Sequence, residues 1–174
     1  MRMSKRLLPS VTAAAATALV VAVGAAAHDG GHGSKHKSSH GRSVLDAALA
    51  PSQVGDDSFH GVGPGGAPWV LKRGEVKLAP RGRLDLRVRG LVIPNPPGDG
   101  TPGPVNTIDA SLYCGGDKNT AAADTSKQVR ISRKGNARIR DRSFHVPATC
   151  LAPVILVHPN GNMGAYIAVD GQRG

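Results

Sequence analysis

Three groups of side chains in this 174-residue chain have the type and spacing to do chemistry. His28, His32, His36 and His40 recur every fourth residue. Imidazole nitrogens suit Zn, Cu and Ni, so these four predict weak metal capture by a pliable segment. Gly30, Gly31 and Gly33 oppose the helix that would align them on one face. If processing left Ala26 as the first residue, its amine, two amides and His28 would suit square-planar Cu(II), whereas cleavage after Ala27 is favoured and removes that array. The second group is arginine: Arg83, Arg87 and Arg89 in one run and Arg138, Arg140 and Arg142 in another, at spacings of two or four. On extended backbone each set shares a face. If the two strands adjoin, their guanidiniums form a basic surface able to hold carboxylates or phosphates in bidentate fashion. A solvated face that discourages edge pairing is the plainer alternative. The third group is Cys114 and Cys150, the only cysteines. They are expected to pair in an oxidising compartment, because no CxxC or neighbouring histidine pair suggests a metal site.

No catalytic constellation stands out. Gly61 to Gly66 matches G-x-G-x-x-G by letter, but a dinucleotide loop follows a strand and opens a helix, which this segment is not expected to do. There is neither a G-x-S-x-G elbow nor a P-loop. His60, His145 and His158 stand singly. A cystine-bearing β-domain behind a His-rich tail invites comparison with secreted copper–zinc superoxide dismutases, but the His-x-His copper ligands are absent.

The elements that would position these groups follow from composition. Residues 1–27 have a basic start (Arg2, Lys5, Arg6), an apolar run from Val11 to Val23 and a small-residue end at Ala25 to Ala27. This is the layout of a cleaved secretory signal, and the Ala-rich run is short for a membrane span. The chain carries a net charge of +10, and removing Arg2, Lys5 and Arg6 leaves 19 Lys and Arg against 12 Asp and Glu. A basic secreted protein is drawn to anionic polymers with a strength that falls as salt rises. With aromatic residues at 3%, nucleic-acid binding is not expected, since stacking platforms for bases are lacking. No stable membrane insertion is expected after cleavage.

Residues 28–67 are rich in Gly, Ser, His and Lys and are expected to be a disordered tail. Within it, residues 43–50 can form a short helix, with Ser43 as cap and Pro51 as stop. Residues 68–174 change to short Val, Ile and Leu runs punctuated by Gly, Pro, Asn and Asp, predicting an all-β domain. The expected fold is a small antiparallel β-sandwich of about seven strands, Ig-like or Greek-key in type, with one disulfide.

Leu84, Leu86 and Val88 alternate with Arg83, Asp85, Arg87 and Arg89, predicting a half-buried strand. Trp69 to Leu78 should pair with it across the turn Ala79 to Gly82, with a bulge at Gly74. The Pro/Gly-rich segment from Pro94 to Pro104 should be a surface loop. Further strands are expected at 105–114, 128–132, 137–146, 153–158 and 164–169, the last two joined by a tight Asn160-Gly161 turn. The unbroken apolar run Val154 to Val157 predicts a central strand covered on both sides.

Gly-Leu-Val-Ile-Pro (90–94), Gly-Pro-Val-Asn-Thr-Ile-Asp-Ala-Ser-Leu-Tyr-Cys (103–114), Thr-Cys-Leu-Ala-Pro-Val-Ile-Leu-Val-His-Pro-Asn-Gly-Asn (149–162) and Ala-Tyr-Ile-Ala (165–168) carry a likeness. From about Pro68 to its end the chain resembles a group of small secreted actinobacterial, Streptomyces-like proteins to which no activity is assigned. That resemblance implies the cysteine pair and the β-architecture, and brings no catalytic residue or cofactor. The Arg-rich runs and the His-rich tail depart from the group. The expected function is a non-enzymatic secreted module that binds anionic extracellular or cell-wall material. The alternative is extracellular metal binding through His28, His32, His36 and His40, and a hydrolase with an unrecognised site ranks third.

Overall fold

The computed structural model describes residues 43–119 and 121–171. The signal-peptide reading, the tail over 28–42 and its four histidines lie outside the described residues. Eleven strand segments follow in chain order: β1 (Leu45–Pro51), β2 (Gly63–Pro64), β3 (Arg73–Ala79), β4 (Arg83–Arg89), β5 (Thr107–Tyr113), β6 (Asp124–Thr125), β7 (Val129–Arg130), β8 (Ala137–Asp141), β9 (Val154–Pro159), β10 (Ala165–Tyr166) and β11 (Ala168–Gly171). Nine of them make one antiparallel sheet in the order β6-β5-β9-β11-β1-β3-β4-β8, with β7 also beside β5. The sheet curls into a half-barrel that brings β8 near β5 and β7, so the two layers around the core are walls of one sheet. The expected all-β fold is therefore present, closed by the Cys114–Cys150 disulfide.

Alternation builds the core. Leu84, Leu86 and Val88 of β4 turn inward beside Val76 and Leu78 of β3 and Ile139 of β8, each no more than 1% exposed. The β3–β4 hairpin pairs without interruption from Ala79↔Arg83 to Arg73↔Arg89. Its turn is closed by Gly82 N–H donating to the Ala79 carbonyl at 3.0 Å, and Gly82 takes a left-handed φ of +74°. Gly74 is not the expected bulge: it pairs one to one with Val88. Glycine is needed there because a Cβ would strike the side chains of Leu71, at 2.6 Å, and Leu49, at 2.7 Å. β9 is the expected central strand, lying between β5 and β11, with Ile155, Leu156, Val157 and His158 all fully buried. Ile155 and Val157 face the main core, while Leu156 joins a second cluster with Val62, Tyr113 and Tyr166.

Residues 43–50 are a strand and not a short helix. β1 inserts between β11 and β3, pairing Ala47 with Val76 and Ala50 with Val169. Leu45, Ala47 and Leu49 pack toward the core, a period of two that the sequence satisfies as readily as a helical one. An isolated eight-residue helix is marginal in water, whereas insertion satisfies the backbone from both sides. The ordered domain accordingly starts well before Pro68. Phe59 and Val62 pack on the second cluster, and Trp69 N–H reaches the Ser52 carbonyl at 3.0 Å. The Asn160-Gly161 turn forms, with positive φ at both residues and Asn162 N–H donating to the Pro159 carbonyl at 2.9 Å. It does not make a tight β9–β11 hairpin, since the nearest pair is Val157↔Ala168. Residues Ala165 and Tyr166 pair in parallel with Gly63 and Pro64 instead.

Candidate functional site: an arginine-rich sheet face

The residues between the inward apolar ones on β3, β4 and β8 share the outer face of the sheet. They are Arg73, Glu75 and Lys77 on β3, Arg83, Asp85, Arg87 and Arg89 on β4, and Arg138 and Arg140 on β8. β4 and β8 adjoin, so Arg83, Arg87, Arg89, Arg138 and Arg140 come together on one surface. Arg142 follows just after β8 and is exposed. The register sets like charges directly opposite each other twice, Arg87↔Arg138 across β4–β8 and Arg73↔Arg89 across β3–β4. Each such opposition costs a few tenths of a kcal/mol, up to about 1 kcal/mol.

Asp85 relieves part of this repulsion. Arg138 grips it with two donors, Nε to Oδ1 at 2.9 Å and a terminal nitrogen to Oδ2, while Arg140 Nε stands 3.8 Å from Oδ2. The hydrogen bond from Arg138 holds the Asp85 carboxyl below the usual carboxylate range against partial desolvation, and the charges of Arg138, Arg140 and Arg87 add to it. Arg73 pairs with Glu75 at 3.3 Å and Lys77 with Asp46 at 3.2 Å. Among the described residues Arg83, Arg87 and Arg89 make no ion pair.

Sequence reasoning missed four cations at the Arg89 end of this face. The turn 132–136 docks there, with Gly90 N–H donating to Asn136 Oδ1 at 3.1 Å and Leu91 N–H to the Gly135 carbonyl at 3.0 Å. It brings Arg133 and Lys134 to the end of β4. Lys72 packs its stem against Gly90, and Arg73 stands opposite Arg89. Arg73 could have been found from its alternation with Glu75 and Lys77, but the turn cations carry no such period. The charge is therefore uneven: Asp85 takes up Arg138 and lies near Arg140, while around Arg87 and Arg89 the one carboxylate opposite Arg87, Glu75, is paired with Arg73 and cations are in excess. A surface of this kind can hold several acidic groups of one ligand through charge-assisted hydrogen bonds.

No protein-family model, curated protein or solved structure matches the chain.

A second polar group lies under the loops that cover the opposite end of the sheet. Asp109, Ser111 and Tyr113 project from β5 on the face away from the main core, and His158 of β9 pairs directly with Asp109. All four are at most 2% exposed. His158 Nδ1 lies 2.8 Å from the Ala165 carbonyl, which makes it the protonated nitrogen of a neutral ring. Its Nε2 is buried without a hydrogen-bond partner. Burial holds the His158 imidazole below its usual value, against the pull of the Ala165 carbonyl and Asp109. Burial raises the Asp109 carboxyl, against His158 and the Gly161 N–H that donates to it at 3.1 Å.

Serine, histidine and aspartate thus meet on neighbouring strands without forming a nucleophilic dyad. The Ser111 hydroxyl is engaged with Thr125 Oγ1 at 2.8 Å and Met163 Sδ at 3.7 Å, and His158 Nδ1 is spent on a carbonyl. His60 stacks on Tyr113 with ring centroids 4.9 Å apart, and His145 is exposed. Among the described residues no three His, Cys, Asp or Glu side chains converge as metal ligands.

Proposed function

We propose that this protein is a secreted, non-enzymatic module that holds anionic extracellular or cell-wall polymer on the outer face of β3, β4 and β8. The observation that carries the reading is the β4–β8 register, which lines up Arg87 and Arg89 without ion-pair partners beside Arg138 and the turn cations Arg133 and Lys134. A polymer with a charge on successive units would meet these cations together and relieve both like-charge oppositions. The leader-like first 27 residues and the Cys114–Cys150 disulfide support an oxidising, extracellular destination.

Retention on immobilised heparin tests it. Arg87→Ser with Arg89→Ser should elute at roughly half to two-thirds the salt needed for the native protein, because screened multivalent attraction falls with each lost contact. Lys118→Ser with Lys127→Ser removes the same charge from exposed sites off this face and should shift elution far less. Equal shifts for the two variants would mean that net charge alone drives retention, and the reading would fall.

A further inference from the structure

The outer face of the sheet turns from charged to apolar just past the arginines. Beyond Arg73↔Arg89 the next bridged pair is Val70↔Val92, with Val70 N–H donating to the Val92 carbonyl at 2.9 Å and Val92 N–H donating back at 3.0 Å. Their neighbours Trp69, Leu91 and Ile93 are buried in the core, so alternation turns both valines outward onto one face. Val70 is 42% exposed and Val92 is half-buried. A third valine stands close by: Gln53 Nε2 donates to the Trp69 carbonyl at 2.7 Å, and the next residue, Val54, is 66% exposed. Cations adjoin this apolar patch. Lys72 and Arg73 follow Val70 along the chain, and Lys72 N–H donates to the carbonyl of Arg89 at 3.1 Å. The turn docked on Gly90 and Leu91 adds Arg133 and Lys134, both exposed.

Resting on the anion-binding function proposed above, we propose that this junction docks on an anionic lipid bilayer, with the cations on phosphate headgroups and the valines at the edge of the acyl chains. Charge and apolar surface side by side select this occupant. A water-soluble polyanion supplies the cations with counter-charge but leaves Val54 and Val70 in water, whereas an anionic bilayer serves both in one contact. The contact is peripheral. Three valines bury too little surface to hold the protein without the charges, so binding weakens as salt rises. The carboxylates near the patch are Glu75, paired with Arg73 at 3.3 Å, and Asp56 and Asp57 beyond Val54, the first of which accepts the Gln53 N–H at 2.6 Å. Lys72, Arg73, Arg89, Arg133 and Lys134 outnumber them, which favours an anionic surface over a neutral one.

Vesicle sedimentation of residues 28–174, which contain every described strand, tests this beside heparin retention. Vesicles of equimolar phosphatidylglycerol and phosphatidylcholine should bind the chain, and vesicles of phosphatidylcholine alone should not. No binding to either, or equal binding to both, overturns the proposal. Val54→Ser with Val70→Ser should weaken binding to the anionic vesicles about tenfold, as two partly inserted valines are lost. The same variant should leave salt elution from heparin unchanged, which also shows that it is folded. Val54→Phe should strengthen vesicle binding severalfold, a gain that misfolding cannot produce. If the valine variants bind vesicles like the native chain while Arg87→Ser with Arg89→Ser weakens both vesicle and heparin binding, the valines make no lipid contact and the anion-binding function stands. If the arginine variant changes neither, the function itself falls.

Discussion

Asp170 gives the sharpest test of how this sheet balances burial against charge. It sits opposite Leu49 near one end of β11, and its Oδ1 accepts the Ile155 N–H at 2.8 Å. Burial pushes its carboxyl up to about 6 from an ordinary value of 3.8, and the hydrogen bond from Ile155 only partly offsets it. A folded value above the unfolded one means that the folded state favours the protonated acid. The acid's stabilising contribution is complete below about pH 4, is lost as pH climbs toward about 6, and is absent above that. At about 1.4 kcal/mol for each unit, the loss is at most about 3 kcal/mol, and the residue's partial exposure reduces it to about 2 kcal/mol. Asp170→Asn keeps an oxygen to accept from Ile155 and removes the buried charge. In urea denaturation the variant should match the native protein near pH 4 and exceed it by about 2 kcal/mol near pH 7.5, equivalent to roughly 6–10 °C in melting temperature. In that variant the opposite slope of His158 should remain. Its lowered folded value means stability is lost as pH falls below about 6.5, where the unfolded ring takes a proton that the buried one refuses. If Asp170→Asn is less stable than the native protein by the same amount at every pH, Asp170 acts as an ordinary acceptor and the desolvation argument is wrong.

Two further outcomes follow from the backbone and its crosslink. Replacing both Cys114 and Cys150 by Ser should cost about 4 kcal/mol, the chain-entropy value for a crosslink between residues 36 apart; urea midpoints of the oxidised and variant proteins measure it, and a loss under about 1 kcal/mol would contradict it. Gly82→Ala places a Cβ against the Phe144 carbonyl from a backbone at φ +74° and should cost at least about 2 kcal/mol or abolish folding in thermal melts, whereas Gly116→Ala, with nothing near its missing Cβ, should change little.

What could be read from the sequence was what local periodicity determines. Leu84, Leu86 and Val88 alternate with charges because β4 has one dry and one wet face, and Val154 to Val157 run unbroken because β9 is covered on both. Leu45 to Ala50 satisfies helix and strand periods alike, and the partners that decide between them, Val76 and Val169, are distant in sequence. The opposition of Asp109 and His158 is equally non-local, which left His158 looking solitary. The arginine runs were visible, but their adjacency was conditional, and Arg133 and Lys134 join them only through the docking of a turn on Gly90 and Leu91. That adjacency carries an energetic problem, which the proposed anion binding would relieve. Two arginine pairs face each other across strands, and a free sheet should resist this register. Asp85, opposite Arg140 and diagonal to Arg138, takes up Arg138 and draws Arg140 near, so the repulsion is relieved on the β8 side. Glu75, directly opposite Arg87, is taken up by Arg73, so Arg87 and Arg89 make no ion pair of their own, and in the proposed function an acidic polymer that supplies one would tighten the β4–β8 register it binds.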